Sequence, residues 1–392
     1  MEEAGRYLGG VACLGRATNM ERTIRIDHAV LHGCDAHLIS NVHGARQNHS
    51  GRRVSIVELG FDGLVGFGEV PVLDLPNYSS DWSHGSDYLL RSLLLPQVVD
   101  QRKVGFHSFD WLVGNGASRF ALECAILDLL AKGAGIGITD YLAELFESDS
   151  YLSSRRLGFG VSIGTLGGYD NALSEIARAV QQGVRRIKLK VNKNRAFEFI
   201  ERAFDFSPLE VVLDFNGSLS RDDLGLITDL ENKGLSFVEE PTSDLGLIGY
   251  VDLSRSFNSR IFLDETTSSP AVVNDLQYFG DGLGFVVKPF RFGSLFSLHR
   301  TLEMLAELDI PCYAGGMFES SIGRRFLLAI ASHRCFTEIG DLAPSSWYYD
   351  FDLGPPLLPG EGENFLSPQF SFGSDVVAIE NHVCTNDCAT LM

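Results

Sequence analysis

The sequence lacks long apolar runs, paired cysteine spacings and a surplus of positive charge. No apolar stretch approaches the roughly eighteen residues that a membrane-spanning helix needs, so no membrane partner is expected. The seven cysteines include no C-x-x-C pair, which argues against a disulfide framework and favours reduced thiols in a cytoplasmic protein. Against 51 acidic residues there are 32 lysines and arginines, and the resulting net charge of -19 repels phosphate backbones. We therefore expect no nucleic-acid partner.

The chain also lacks low-complexity segments, and its length bounds the domain organisation. At 392 residues it suits a barrel of about 250 residues together with a smaller partner domain. The first residues, Met-Glu-Glu, show no basic region followed by an apolar run, so no signal peptide is expected. Residues 1–20 are predicted to form a loosely ordered extension, and we assign them no role.

A repeated pattern organises residues 185–288. Five short apolar segments each end on a charged residue, and the terminal residues are Lys190, Asp214, Glu239, Asp264 and Lys288. Successive terminal residues lie 24 or 25 positions apart, which is the length of one strand, one helix and two short loops. Strands that are apolar throughout are covered on both faces, as in a parallel sheet wrapped by helices. The pattern predicts a (β/α)8 barrel of the α/β class, with the five charged side chains at one mouth. The alternative is that these charges only mark where strands leave the core.

Segments on either side of this pattern predict the rest of the barrel and a second domain. Residues 159–163, 310–314 and 336–339 are predicted as the first, seventh and eighth barrel strands. Residues 23–69 follow an all-β pattern, and 118–132 predict an amphipathic helix on which Glu123 and Asp128 should be solvated. We place an α+β capping domain at 21–150 and the barrel at 151–355. A tail at 356–392 is expected to return to the capping domain.

One polar segment of the capping domain, 34–52, is predicted to be a long loop. Its histidines and arginines, with the arginine that follows it, are His37, His43, Arg46, His49, Arg52 and Arg53. The histidine spacing matches no familiar metal site. Two interpretations stay open: a solvated insertion, or a lid whose arginines meet an anionic or polar distal group of a substrate.

The three carboxylates Asp214, Glu239 and Asp264 would be hard oxygen ligands at one barrel mouth. Such ligands suit Mg²⁺, with Mn²⁺ as a substitute, whereas soft-metal sites would need Cys or His at these strand ends. A purely structural ion-pair network is the alternative. It is disfavoured because like charges concentrated in one place are costly without a bound metal.

Lysines flank the acidic cluster, and they suit acid–base chemistry. A lysine that acts as a base must be neutral near pH 7, so its pKa must fall from about 10.4. The metal ion and Lys188, which shares a strand face with Lys190, are candidate causes of that shift. The whole set serves proton abstraction next to a carboxylate, because a divalent metal and a fixed ammonium stabilise the enediolate as it forms.

Several motifs together resemble the muconate-lactonizing subgroup of the enolase superfamily, the mandelate racemase/muconate lactonizing enzyme group. They are Lys188-x-Lys190, Asp214-Phe215-Asn216, Glu239-Glu240-Pro241, Leu263-Asp264-Glu265 and Lys288-Pro289-Phe290-Arg291. Residues 315–323 and Gly340-Asp341 closely resemble the seventh- and eighth-strand motifs of o-succinylbenzoate synthases and N-acylamino-acid racemases. The segment 34–52 departs from the family, since its lid loop is usually shorter and more apolar. Glu240 stands where Gln is common.

The resemblance implies a role for each matching residue. Asp214, Glu239 and Asp264 would be the Mg²⁺ ligands, Lys190 and Lys288 the acid–base pair, Lys188, Asn216 and Glu265 their supports, and Glu319, Ser320 and Asp341 the substrate pocket.

The resemblance also implies a reaction and its alternatives. The leading expectation is an o-succinylbenzoate synthase-like dehydration of a small carboxylate in menaquinone biosynthesis, by a homo-oligomeric enzyme. The alternative is N-acylamino-acid racemase activity, followed by muconate cycloisomerase or dipeptide epimerase activity. The epimerases carry Asp-x-Asp at the eighth strand, which Gly340-Asp341-Leu342-Ala343 lacks. A non-catalytic ligand-binding relative, a different class, would be favoured by loss of a strand-end charge, and all five are present.

Overall fold

A curled sheet of seven parallel strands lies at the centre of the computed structural model of this chain. The structure describes residues 23–43, 48–165, 168–203, 209–233, 235, 237–267, 270–280, 282–355, 357, 365–366 and 389–391. The strands are β1 (Thr23–Arg25), β2 (His28–His43), β3 (Asn48–Phe61), β4 (Leu64–Glu69), β5 (Lys103–Gly105), β6 (Leu157–Gly158), β7 (Gly160–Gly164), β8 (Arg186–Lys190), β9 (Glu210–Asp214), β10 (Phe237–Glu239), β11 (Arg260–Leu263), β12 (Leu283–Val287), β13 (Cys312–Ala314), β14 (Phe365–Leu366) and β15 (Ala389–Leu391). The helices are α1 (Ser83–Leu89), α2 (Leu95–Gln101), α3 (Gly116–Ala134), α4 (Ile138–Phe146), α5 (Tyr169–Gln181), α6 (Ala196–Ala203), α7 (Gly225–Glu231), α8 (Leu247–Ser254), α9 (Leu295–Glu307) and α10 (Ser321–Ala331).

The parallel sheet runs in the order β13-β12-β11-β10-β9-β8-β7, so strands adjacent in sequence are adjacent in space. A helix connects each consecutive pair except β11 and β12, which a 3-10 segment, Pro270–Tyr278, joins instead. Side chains alternate along each strand and supply two cores. On β9, Val211 and Leu213 belong to the large core, while Val212 joins a small inner cluster with Phe237, Phe262, Val286 and Tyr313. Apolar residues on both faces explain why these strands lack polar alternation.

The segment predicted as an eighth strand, 336–339, makes single bridges rather than a strand. Phe336 forms a parallel bridge with Cys312, and Gly340 forms another with Phe159. The N–H of Asp341 donates to the carbonyl of Ala314, and the N–H of Gly160 donates to the carbonyl of Gly340. This stretch therefore joins the first and last strands of the sheet without forming a continuous ladder. The hydrogen bonds bring Asp341 to the same mouth as the other strand ends.

The prediction of a loop at 34–52 is wrong for most of that segment. The strands β2 and β3 form one long antiparallel hairpin that pairs His28 with Gly60 and continues to His43 with Asn48, with an irregularity after His37. Residues 44–47 lie outside the described residues. The polar composition is misleading because on β2 the exposed Asp35 and His37 flank the buried Ala36, while both arginines of β3 are buried. Both arginines form ion pairs with carboxylates of the capping domain.

The helix α3 carries two carboxylates that are buried, and the prediction that they are solvated is wrong. Glu123 forms an ion pair with Arg119 at 2.6 Å and accepts a hydrogen bond from the N–H of Leu295 at the start of α9. Asp128 forms an ion pair with Lys132 and accepts from the N–H of Phe67 on β4. Burial raises the pKa of Glu123 to about 7 and that of Asp128 to about 6. The helix thus links the capping sheet to the barrel through charged hydrogen bonds.

The end of the chain is described at two short strands. The strand β15 pairs antiparallel with β2 of the capping sheet, and β14 pairs with β6. The predicted extension at 1–20 and most of the tail at 356–392 lie outside the described residues. Within the part of the chain that the structure describes, no helix combines the length and the apolar character needed to cross a membrane.

Candidate active site

Three carboxylates stand at the C-terminal ends of three neighbouring strands. Asp214 ends β9, Glu239 ends β10 directly opposite it in the ladder, and Asp264 follows the last residue of β11. Each side chain is almost completely buried, with 1% or less of the residue exposed. Burial and the nearby charge of Asp214 raise the pKa of Glu239 well above its ordinary range. The strands therefore concentrate negative charge where water cannot screen it.

Each of these carboxylates is in contact with a different lysine. The ammonium of Lys190 lies 2.8 Å from Asp214, and that of Lys288 lies 2.8 Å from Asp264. Lys188, two residues before Lys190 on β8, donates to both oxygens of Glu239 at 3.0 and 3.1 Å. The structure thus brings together all five strand-end residues that the sequence pattern singled out. The lysines Lys190 and Lys288 lie on the second and sixth strands, which are separated by three strands of the sheet.

The two flanking lysines differ in acidity. Burial and the neighbouring guanidinium of Arg291 lower the pKa of Lys288 well below its ordinary value. Burial also lowers the pKa of Lys190, but the charges of Asp214 and Glu239 and the hydrogen bond to Asp214 together outweigh burial and Lys188, and the net shift is upward. The expected depression at Lys190 is therefore absent while Asp214 is its partner. Lys288 is set up as a neutral amine and Lys190 as an ammonium.

Residues in the loops after the strands support the carboxylates. The backbone N–H of Asn216 donates to Asp214, and its side-chain amide donates to Glu265 at 3.2 Å. Burial and the charge of Asp264 raise the pKa of Glu265 to about 8, and its Oε2 is buried without a protein partner. Glu240 accepts hydrogen bonds from the backbone N–H groups of Asp264 and Thr266. The backbones of Asn216, at φ 45°, and Glu240, at φ 35°, are in the strained left-handed region, and these contacts keep them there.

Asp341 joins the site from the closing segment of the barrel. It lies 2.7 Å from the ammonium of Lys188 and 2.8 Å from the guanidinium of Arg186. Burial raises its pKa, but the charges of Lys188 and Arg186 outweigh burial and keep Asp341 ionised. The hydroxyl of Tyr313 donates to Glu239, the carboxylate that also accepts from Lys188. The sequence analysis did not single out Arg186 or Tyr313. Arg186 lies two residues before Lys188 on the predicted second strand, and Tyr313 lies on the predicted seventh strand.

Glu319 and Ser320 lie in the loop after β13, and their polar groups contact protein atoms. Glu319 accepts from the N–H of Met317 and pairs with Arg324 at 2.9 Å. The hydroxyl of Ser320 donates to Glu69 at 2.5 Å and caps α10 by accepting from the N–H of Ile322. A substrate-binding role for these two residues stays a prediction. They hold the loop, whereas Asp341 faces the cavity.

Two further residues contact the acidic cluster and were not foreseen in the sequence. The hydroxyl of Tyr78, from the irregular segment before α1, donates to Asp264 at 2.5 Å and accepts from Lys288. The guanidinium of Arg291 donates to Asp264 at 2.6 Å and lies 5.1 Å from the ring centre of Tyr78. Arg291 is at a recognisable place, one 3-10 turn after Lys288. Tyr78 comes from a stretch without periodicity, so no sequence signal placed it here.

A cavity connects these groups to the underside of the capping domain. Charged, polar and apolar residues all contribute to its lining. The lining residues are Leu73, Asn77, Tyr78, Ser162, Lys188, Lys190, Asn216, Lys288, Gly316, Met317, Phe318, Asp341 and Tyr348. The arrangement can hold a small carboxylate between the amines of Lys190 and Lys288.

The donor set fits a divalent cation with a preference for oxygen. Three buried carboxylates stand side by side, burial and the charge of Asp214 raise the pKa of the middle one, and Glu265 contributes a buried oxygen without a partner. Mg²⁺ accepts a few carboxylates and keeps positions open for substrate oxygens. Neither Cys nor His stands at the three strand ends.

The family model described as enolase C-terminal domain-like matches residues 171–364, a range that contains the five strand-end residues. Residues 171–364 belong to the enolase C-terminal domain-like family. The capping domain and barrel superpose on the structure of an enolase superfamily member from Listeria innocua with a TM-score of 0.81, at 23% identity, over 95% of this chain and all of that one. This likeness confirms the predicted (β/α)8-type fold with an N-terminal capping domain.

Two of the curated proteins with similar sequences bear different names. An o-succinylbenzoate synthase from Listeria innocua is 28% identical over 303 residues, or 76% of this chain and 79% of that protein. An N-succinylamino acid racemase from Thermus thermophilus is 27% identical over 322 residues, or 81% of this chain and 85% of that protein. The recognition of the superfamily and of this subgroup from the strand-end motifs is thereby confirmed.

Proposed function

We propose that this enzyme removes the proton α to the carboxylate of a small organic acid and then eliminates water, as an o-succinylbenzoate synthase does. One observation carries the proposal. Two lysines on the second and sixth strands line one cavity, and each contacts an outer member of the same carboxylate triad. A substrate held between them exposes its α-carbon to an amine on either side.

The protein groups divide the proton work. A neutral amine can accept the α-proton, and Lys288 has the lowered pKa that this role needs. An ammonium next to the substrate carboxylate stabilises the enediolate and can return a proton, and Lys190 carries that charge. A cation held by Asp214 would weaken the attraction of that carboxylate for Lys190, and that lysine could then also lose its proton. The two roles are then exchangeable.

We propose Asp214, Glu239 and Asp264 as the residues that hold Mg²⁺, with Mn²⁺ as a substitute. The ion supplies a Lewis acid that stabilises negative charge on the substrate carboxylate. Lys188 and Tyr313 fix the Glu239 carboxylate, and Asn216 fixes Asp214. These hydrogen bonds hold the ligand oxygens in place before the ion arrives.

N-acylamino-acid racemisation is the second candidate, and the placement of the lysines favours it. Racemisation needs one acid–base group on each face of the α-carbon, and the lysines of the second and sixth strands meet that need. The curated relatives include a racemase as well as synthases. Both reactions share the enediolate and differ in its fate, which is loss of water in one and return of a proton in the other.

The test is a substrate screen of the Mg²⁺-loaded enzyme. The synthase substrate, 2-succinyl-6-hydroxy-2,4-cyclohexadiene-1-carboxylate, and both enantiomers of several N-succinylamino acids are incubated in D₂O. We expect dehydration of the first and α-deuteration of at least one of the others. The proposal would be overturned by an enzyme that neither dehydrates the first acid nor exchanges the α-proton of a single one of the others. Exchange and racemisation without dehydration would favour the second candidate.

A further inference from the structure

The guanidinium of Arg52, on β3, is buried beneath the loop that follows β13. Its Nε donates to the carbonyl of Phe318 at 3.1 Å, and its Nη1 donates to the carbonyls of Val70 and Val72 at 3.2 and 3.0 Å. Its Nη2 pairs with Glu69, and only 3% of Arg52 is exposed. The arginine that the sequence offered as an anion-binding group therefore has its donors directed at the protein. It lies outside the lining of the catalytic cavity.

Glu69 extends this contact to the start of α10. It accepts hydrogen bonds from the N–H of Ser320 at 3.0 Å, from the Ser320 hydroxyl, and from the N–H of Gly323 at 3.0 Å. The two charged side chains of the capping domain thus hold both ends of the barrel segment 318–323. Buried ion pairs with additional hydrogen bonds fix geometry more than they add stability.

Phe318, whose carbonyl accepts the hydrogen bond from Arg52, has an uncommon backbone conformation. Its φ is 58°, which a bulky residue adopts only when its surroundings hold it there. Its carbonyl accepts from Arg52 and, at 2.7 Å, from the hydroxyl of Tyr349. Its ring lines the cavity and meets Tyr348 edge-on, with ring centres 5.0 Å apart.

We propose that Arg52 and Glu69 are positioning residues that hold Phe318 in the left-handed conformation, so that its ring and Tyr348 form an aromatic wall. The wall selects carboxylate substrates that carry a flat, ring-sized apolar group away from the reacting carbon. Leu73 and Met317 are further apolar residues of the cavity lining. The inference rests on the proposed function for the reacting end of the substrate, and it assigns the other end.

The physical reason is that an aromatic wall discriminates by contact area and ring geometry. A ring packed edge-on or offset against Phe318 buries more apolar surface than a methyl group does. Release of the carbonyl of Phe318 would allow the backbone to leave the strained region and the ring to move. Discrimination between ring-bearing and small substrates should then fall, while the groups that contact the α-carbon are untouched.

The test compares ratios, which do not depend on the fraction of active enzyme. For kcat/KM, N-succinylphenylalanine is compared with N-succinylalanine, and N-benzoylalanine with N-acetylalanine. Calorimetry compares the binding of 3-phenylpropionate and propionate and requires no turnover.

The wild type should favour the ring in binding and in at least one kinetic pair, by about tenfold or more. Arg52→Met and Phe318→Ala should each abolish most of that preference. The double variant should lose no more than either single one, because both changes remove the same wall.

Arg53→Met is the matched control. Arg53 is the neighbouring buried arginine, pairs with Asp87 at 2.8 Å, and does not line the cavity. Its removal also breaks a buried ion pair, but it should leave the ratios as in the wild type. If Arg52→Met does not fold, Phe318→Ala still tests the wall, because it breaks no ion pair.

Two results would overturn the inference. One is an unchanged ring preference in Arg52→Met or Phe318→Ala. The other is a selective loss in Arg52→Met of activity on N-succinylalanine relative to N-acetylalanine, which would show that Arg52 meets an anion. Failure of the proposed function is distinguishable, because it would abolish α-exchange in the wild type and leave the binding ratios measurable.

Discussion

Lys190 and Lys288 occupy similar positions at the barrel mouth, yet their surroundings push their acidities apart. Lys288 has Arg291 close by and a hydroxyl as neighbour, so burial prevails and the pKa falls. At Lys190 the charges of Asp214 and Glu239 and the hydrogen bond to Asp214 together outweigh burial, so the pKa rises. An acid and a base require two amines of which one has a raised pKa and the other a lowered pKa.

Tyr78 offers a test of this arrangement at a single hydroxyl. In Tyr78→Phe, Asp264 and Lys288 each lose a hydrogen-bond partner inside the site. Hydrogen bonds to charged groups contribute about 1.5–3 kcal/mol, so kcat should fall about tenfold or more. The measurement is steady-state kinetics at saturating Mg²⁺. Tyr88→Phe, at a tyrosine that is 73% exposed, is the control and should change nothing. Equal kcat in both variants would contradict the role assigned to the Tyr78 hydroxyl.

Single residues of the site differ in how far the sequence predicts them. Asp214, Glu239 and Lys288 follow from one rule, since parallel strands of constant period present their last residues together. Tyr78 and Arg52 obey no such rule, because an irregular segment and a distant hairpin bring them into place by tertiary packing. Arg52 also illustrates a specific error. A basic residue in a polar stretch suggests solvent or an anion, but here backbone carbonyls and Glu69 satisfy it.

At the scale of elements, the barrel strands were predictable and the capping hairpin was not. Strands such as β9 and β12 are apolar on both faces, and their period is regular. The hairpin β2–β3 instead has polar residues on its exposed face and buried arginines on β3. Alternation is thereby blurred, and composition alone predicts a loop. The prediction of a strand at 336–339 is wrong for another reason, since single bridges produce no periodic pattern in the sequence.

The helices α9 and α10 are joined to the segment before the barrel by a pH-sensitive group of side chains. Glu303 of α9 accepts from Ser148 at 3.0 Å and contacts His333, just after α10, at 3.1 Å. Burial lowers the pKa of His333 to about 4, so it is neutral in the fold, whereas its ordinary value is 6.5. The unfolded chain binds a proton there first, so stability is complete above pH 6.5 and is lost as the pH falls toward 4.

Glu303 extends this loss to lower pH. Burial raises its pKa, but hydrogen bonds from Ser150, Arg334 and His333 outweigh burial and lower it to about 2 from 4.5. Its stabilisation is therefore lost between pH 4.5 and 2. From pH 7 to pH 5 we expect the free energy of unfolding in urea to fall by about 1–2 kcal/mol through His333. His333→Asn should remove that part of the pH dependence. An equal slope in the wild type and the variant would contradict the assignment.

At the scale of the whole molecule, the active site depends on both domains. Tyr78, Arg52 and Glu123 reach from the capping domain to Asp264, Phe318 and Leu295 of the barrel. The net charge of -19 favours the approach of a cation, and the carboxylates of the triad still repel one another despite their lysine partners, since burial and the charge of Asp214 raise the pKa of Glu239.

Magnesium should therefore stabilise the fold as well as support turnover. A ligand that binds only the folded state at about 100 times its Kd adds about 2.7 kcal/mol to the free energy of unfolding. We expect Tm to rise with Mg²⁺, to return on addition of EDTA, and to rise far less in Glu239→Gln. Turnover should follow the same titration. A wild-type Tm that does not change with Mg²⁺, together with full activity after exhaustive chelation, would contradict the metal assignment.

The central claim, that Lys190 and Lys288 act from opposite sides of one α-carbon, is tested most directly by deuterium exchange in the lysine variants. Lys190→Arg and Lys288→Arg keep a positive charge but cannot lose a proton near pH 7. Each variant is incubated in D₂O with Mg²⁺ and with each enantiomer of an N-succinylamino acid that the wild type exchanges, and α-deuteration is followed by NMR. Each variant should retain exchange with one enantiomer and lose it with the other, and the retained enantiomer should differ between them. Rapid exchange in the double variant would contradict the account, because neither lysine could then be the base.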